Sequence, residues 1–213
     1  MSLLPLLPLL PLLAVACNRE DVTANAISGM VGGQAFAPDL VVFDEVGPAP
    51  EDTVAPLELL AEIALASDPD ACPLLGALHH LAWLRCESAC NGLFAQQERW
   101  PAGALRVVWL GVTAGESATG HYDLAMNDSP GVFTARYRPV DLSRLAGLDA
   151  KTCLTACSED RDFLWSGTDD GQWGALEVDT WEEDALGGSL DLLFSTGDLQ
   201  GTFEAVRCEM GLY

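Results

Sequence analysis

Short apolar runs separated by glycine and acidic turns dominate the chain. Ile27 to Val31 and Leu40 to Phe43 are β-prone runs parted by Gly32-Gly33, which predicts two strands with a turn region between them. Leu105 to Val112 is the clearest strand in the chain. His121 to Met126 and Val132 to Tyr137 follow, split by the turn-forming Asn127-Asp128-Ser129-Pro130-Gly131. The C-terminal third is a predicted meander of Gly174 to Trp181, Gly188 to Phe194 and Gly201 to Cys208, with a turn at Gly197-Asp198. Residues 57–66 fit two templates. Leu57, Leu60, Ala61, Ala64 and Leu65 make a helical stripe, whereas Leu57, Leu59, Ala61, Ile63 and Leu65 alternate as a strand. Local propensity there favours helix.

Two other stretches change the period. Residues 69–98 carry Leu74, Leu75, Leu78, Leu81, Ala82 and Leu84 at mixed helical spacing, and 141–160 is a second helical excursion. Both contain cysteines. Val46 to Pro56, with three prolines and two acids, is a surface loop. Seven or more short strands with glycine turns predict a mainly β fold. The expected form is an Ig-like antiparallel β-sandwich over 27–213 with short disulfide-tied helical insertions.

The N-terminus is of another kind. The apolar stretch from Leu3 to Ala16 has the length of an export signal and is too short to span a bilayer, which takes ~20 residues. It closes on Ala14-Val15-Ala16-Cys17, small residues followed by a thiol, as in a bacterial lipoprotein signal. Residues 1–16 are then removed, Cys17 is acylated, and 17–26 form a tether. The absence of Lys or Arg before the apolar run, and prolines at positions 5, 8 and 11, depart from an ordinary signal. Asn18 is not Asp, so retention at the inner membrane is not signalled and the outer membrane is the expected destination.

Composition narrows the partners. Thirty-two acids against ten bases give a net charge of −22, and residues 1–16 carry none of it. Nucleic acid and anionic lipid are excluded as direct partners, because phosphate binding needs cationic surface. The acids are interleaved with apolar residues, as on a solvated globular surface. With Cys17 lipidated, Cys72, Cys86, Cys90, Cys153, Cys157 and Cys208 remain, an even set that in an exported chain implies disulfides. Cys86/Cys90 and Cys153/Cys157 share a four-residue step, which on a helix sets both sulfurs on one face roughly 6 Å apart at Cα. Each pair could close on itself, or the two could cross-link.

Three local patterns carry a family resemblance. Ser28-Gly29-Met30-Val31-Gly32-Gly33-Gln34-Ala35-Phe36 opens the domain. Ala66-Ser67-Asp68 leads to Cys72, and Gly187-Gly188-Ser189-Leu190-Asp191-Leu192-Leu193-Phe194 precedes Leu199-Gln200-Gly201-Thr202-Phe203-Glu204-Ala205 and Cys208. Together with the signal, these ends of the chain resemble small lipoproteins of myxobacteria and related gliding bacteria. The resemblance implies a strand over 57–66, the reading adopted here, and a disulfide from Cys72 to Cys208. It carries no catalytic residue, and the two other cysteine pairs depart from it.

Candidate chemistry is sparse. Ser117, His121 and Asp123 raise a hydrolase reading, but Gly115-Glu116-Ser117-Ala118-Thr119-Gly120 misses nucleophile-elbow spacing by one residue. His79 and His80 are adjacent, so their side chains diverge and cannot share a metal. They are taken as exposed or partly packed. Asp68-Pro69-Asp70, Asp169-Asp170-Gly171 and Glu182-Glu183-Asp184 lack the alternating carboxylates of a calcium loop. Trp165, Trp173 and Trp181 recur every eight residues and would suit a sugar or peptide platform, but core packing is the preferred reading. No metal, cofactor or catalytic residue is expected. The expected function is a lipid-anchored envelope module that binds a protein or glycan, and the alternative is an envelope-polymer hydrolase.

Overall fold

In a computed structural model, the chain is described over residues 25–45, 59–82, 85–96, 104–113, 118–125, 132–160 and 162–208. The signal 1–16, Cys17, the loop 46–56, Ser117 and the turn 127–131 lie outside the described residues. The elements run β1 (Ser28–Val31), β2 (Gln34–Phe36), β3 (Leu40–Glu45), β4 (Leu59–Ala66), α1 (Cys72–Ala82) and α2 (Cys86–Gln96). Then come β5 (Ala104–Thr113), β6 (Gly120–Leu124), β7 (Val132–Asp141), a 3-10 turn (Leu142–Leu145) and α3 (Ala150–Glu159). The chain continues with β8 (Asp169–Asp170), β9 (Trp173–Trp181), β10 (Ala185–Phe194) and β11 (Gly197–Arg207).

The strands build two antiparallel halves, β3-β4-β5-β7 and β6-β9-β10-β11. Two short parallel seams join them. At one, Val206 and Arg207 of β11 lie opposite Val42 and Phe43 of β3. At the other, Asp123 and Leu124 of β6 lie opposite Val132 and Phe133 of β7. The result is a closed eight-stranded barrel. The mainly β reading holds, but the sheets are not left as a sandwich with open edges. Seam pairing is long-range and carries no local pattern, so turn spacing cannot distinguish the two arrangements.

Alternation along the strands fills the interior. Phe43, Ile63, Leu65, Leu110, Phe133, Leu176 and Phe203 point into one core. The opposite faces of β3, β4 and β5 are apolar as well, because Val42, Ala64, Ala66 and Val107 pack under α1 and α2 in a second core. This explains the double reading of 57–66: β4 is a strand covered on both sides, so its outer positions add a helical stripe to the alternation.

The opening hairpin follows from its glycines. Gly32 and Gly33 sit at φ +62° and +73°, the left-handed geometry that a tight two-residue hairpin turn requires. A Cβ on Gly32 would lie 2.5 Å from Tyr137 Cε1. The hairpin also adds β2, which patterning missed. Asn25 and Ala26, expected in the tether, instead belong to the fold, since Ala26 N–H donates to Thr202 O at 3.0 Å and Glu204 N–H to Asn25 Oδ1 at 3.1 Å.

Three disulfides brace the molecule. Cys72 is bonded to Cys208, and the two four-residue steps cross-link as Cys86–Cys157 and Cys90–Cys153. Cysteines four apart on a helix project side by side rather than toward each other, so each step meets a facing helix. The order, first to last and last to first, is that of antiparallel partners. Asp149 and Thr152 form a reciprocal capping box at the start of α3.

Candidate functional site

The outer wall of β4, β5 and β7 is not fully covered. Beside the C-terminal end of α1 lies a cleft of about 320 Å³. β7 presents Arg136 and Arg138 to it by alternation, β5 presents Trp109, and β4 presents Glu62. The segment between α3 and β8 closes one side with Asp162 and Trp165. That segment is strapped to β7 by Asp141 N–H to Leu164 O at 2.8 Å and Ser166 N–H to Pro139 O at 3.0 Å.

Each carboxylate and guanidinium in the cleft has a hydrogen-bonding partner. His79 Nδ1 meets Glu62 Oε2 at 2.7 Å, Arg138 meets Asp162 at 3.1 Å, and Arg136 Nε donates to Asp170 Oδ1 at 2.6 Å. The Arg138 guanidinium lies 5.1 Å from the centroid of the Trp165 ring. Burial lowers the pKa of Arg138, with Arg136 adding repulsion and Asp162 opposing the shift. Trp165 Nε1 and Arg138 Nε are among the buried nitrogens that find no hydrogen-bond partner among the described residues.

The residues singled out from the sequence fall elsewhere. His121 is exposed on β6, its Nδ1 engaged by Glu177 and its Nε2 3.1 Å from Asp123 Oδ1. Hydrogen bonds to Glu177 first and Asp123 second raise its pKa. With both nitrogens engaged and protonation favoured, it is poorly set up as a general base.

Of the adjacent histidines, His79 is 2% exposed and faces Glu62, which corrects its reading as exposed or partly packed. His80 is half-buried, and burial, then its neighbours His79 and Arg85, lowers its pKa.

Two of the three acid clusters have a carboxylate engaged in local structure. Asp68 Oδ1 accepts from Asp70 N–H at 2.9 Å, and Asp169 accepts from Ser195 Oγ and Thr196 Oγ1, both at 2.7 Å. Burial opposes ionisation of Asp169, but the Ser195 and Thr196 bonds prevail and lower its pKa. Among the described residues, no group of three or more His, Cys, Asp or Glu could hold a metal ion, and no helix is long and apolar enough to cross a membrane.

The three evenly spaced tryptophans do not share a face. Trp165 is buried, and Trp181 is half-buried edge-on to Phe43. Trp173 is 62% exposed, against its reading as core. A register shift at Gly187/Gly188 pairs Gly187 with Thr180 but Gly188 with Val178, leaving Asp179 as the extra residue. Such a bulge reverses which side later residues face, and Trp181 is brought over the barrel end.

The cleft was missed because its groups come from distant segments. One local signal could have found it: Arg136, Arg138 and Arg144 crowd together in a chain with only ten basic residues. Comparison with protein-family models, curated proteins and solved structures gave no match.

Proposed function

We propose that the chain is a lipid-anchored lipoprotein of the cell envelope, acylated at Cys17 and held on the outer membrane, whose barrel displays a binding site. The observation that carries this reading is the set of three disulfides, which join elements 136, 71 and 63 residues apart. Such bridges form and persist in an oxidising compartment. The Leu-rich leader ending at Cys17 supplies the route there, and the resemblance to small myxobacterial-type lipoproteins agrees with it. In plan the barrel is close to an Ig-like sandwich whose two antiparallel halves face across one core. Bacterial lipoprotein maturation attaches more than one acyl chain, which is what stable anchoring needs.

The site is proposed to bind rather than to react. His121 lacks a free nitrogen for base catalysis, and the cleft groups are held in ion pairs. The partner is a protein or glycan met at the envelope, reached through the cleft beside α1. Mass spectrometry of the native protein is the test. An acylated N-terminal peptide beginning at Cys17, and release to the soluble fraction by Cys17→Ala, are expected. An intact leader and free thiols in a soluble species would overturn the reading.

A further inference from the structure

We propose that the cleft beside α1 is a saccharide site, taking one or two neutral sugar rings; this rests on the reading of the chain as a binding module. The cleft's volume of about 320 Å³ lies at the small end of ligand pockets. Its chemistry selects by what is already engaged and what is not.

Charge recognition is engaged. Arg136 is held by Asp170, Arg138 by Asp162, and Glu62 by His79. An anion would have to displace one of these partners and is repelled at long range by the net charge of −22, while a cation on the remaining carboxylate lone pairs would sit against Arg136 and Arg138. A zwitterion needs both signs free at once and fares no better.

Hydrogen bonding is not exhausted. Trp165 is 6% exposed and lines the cleft, yet among the described residues its Nε1–H has no acceptor. The same holds for Arg138 Nε–H, and the stack of Arg138 on Trp165 keeps the two groups together. Both nitrogens are closed off from solvent, and a buried donor without an acceptor is costly, so a small side-chain shift that opened the pair to the cleft would be favoured by an incoming oxygen. Carboxylates of Asp162 and Asp170 retain lone pairs beyond their arginine bonds and can accept from a hydroxyl. Trp109, Leu78 and Ala82 supply apolar wall. Hydroxyls that both donate and accept, on a ring with a C–H face and no net charge, match all three features. Sugars combine them.

The test uses isothermal titration of the full chain with disulfides intact. The probes are cellobiose, N,N′-diacetylchitobiose and, as the zwitterion, glutamine. At least one disaccharide is expected to bind, and glutamine is not. Trp165→Phe, which keeps the ring and deletes the donor, is expected to weaken binding roughly three- to tenfold. Trp173→Phe, at an indole outside the cleft, is expected to leave it unchanged. Circular dichroism of each variant separates lost binding from lost fold.

The proposal is overturned if neither disaccharide binds up to about 20 mM, a range where affinity has little specificity left. It is also overturned if glutamine alone binds, or if binding is unchanged in Trp165→Phe. None of these outcomes touches acylation at Cys17, so failure of the sugar site is distinguishable from failure of the lipoprotein reading.

Discussion

Cys208 is bonded to Cys72 with their Cα atoms 6.0 Å apart, and its own N–H donates to Phe43 O at 2.9 Å. One residue thus fastens the end of β11 both to the start of α1 and to β3. The contact falls at a parallel seam carrying only two residue pairs, Val206 with Val42 and Arg207 with Phe43. Without the bridge, few hydrogen bonds resist opening of the barrel at this edge.

Replacing Cys72 and Cys208 together by serine is therefore expected to lower stability by about 2–5 kcal/mol. Thermal unfolding measures the loss. Amide hydrogen exchange should show faster exchange at position 208 while the β10–β11 hairpin stays protected. Uniform acceleration across all strands would mean that the bridge stabilises the whole barrel and not this seam.

The seam also marks where sequence legibility ends. Strand β9 was readable because Leu176 and Val178 alternate with outward residues, and β5 because Val107, Val108, Trp109 and Val112 are strand-prone on either face. β4 was ambiguous because helices cover its outer face, giving Ala64 and Ala66 as much burial as Ile63 and Leu65. Ring closure was invisible because a two-residue parallel contact imposes no periodicity. The cleft was hidden for a related reason: Glu62, His79, Arg138 and Trp165 lie in four separate segments. The cysteine steps suggested helices but not which sulfur meets which, since that depends on the antiparallel approach of α2 and α3.

The Gly32-Gly33 turn separates two effects that are usually confounded. Both residues have positive φ, so alanine at either meets a backbone cost of roughly 1–2 kcal/mol. At Gly33 nothing lies within 4 Å of an added Cβ, whereas at Gly32 the Tyr137 ring lies 2.5 Å away. Gly32→Ala is expected to be the more destabilising in urea unfolding. Pairing it with Tyr137→Leu should recover part of the difference. Equal losses at the two glycines would show that the ring yields freely.

In the cleft, Glu62 gives the buried His79 ring a hydrogen-bond partner 2.7 Å away. Glu62→Ala deprives Nδ1 of that partner and is expected to cost about 1–3 kcal/mol. Glu62→Gln retains an oxygen at the same reach, so a smaller loss, about 1 kcal/mol, is expected. Chemical denaturation of both variants checks the order. If both variants are as stable as the parent, the contact has no net role in stability.

His121 offers a titration that reports the β6–β9 contact, since Glu177 on β9 and Asp123 on β6 both raise its pKa. A raised pKa means the folded state binds the proton more tightly than the unfolded chain. The resulting stabilisation is complete below the unfolded value and is lost as pH rises through the folded one. Proton NMR should place the His121 midpoint above 6.5 in the intact protein, and Glu177→Gln should bring it down. A midpoint at or below the ordinary value would mean that the carboxylates do not hold the ring in solution.

Charge balance sets the last expectation. Among the described residues, Arg136, Arg138, Arg144 and Arg207 are each within an ion pair, so at least four of the ten basic residues are already committed to acids. The acids left over are spread along the chain and repel one another, which penalises the compact state. Salt shortens the reach of that repulsion, with a screening length near ~10 Å at 0.1 M against ~30 Å at 0.01 M. It also weakens the exposed pairs, but those contribute little to begin with. The melting temperature is therefore expected to rise with NaCl from low ionic strength upward. A flat or falling curve would show that local pairing outweighs the excess of negative charge.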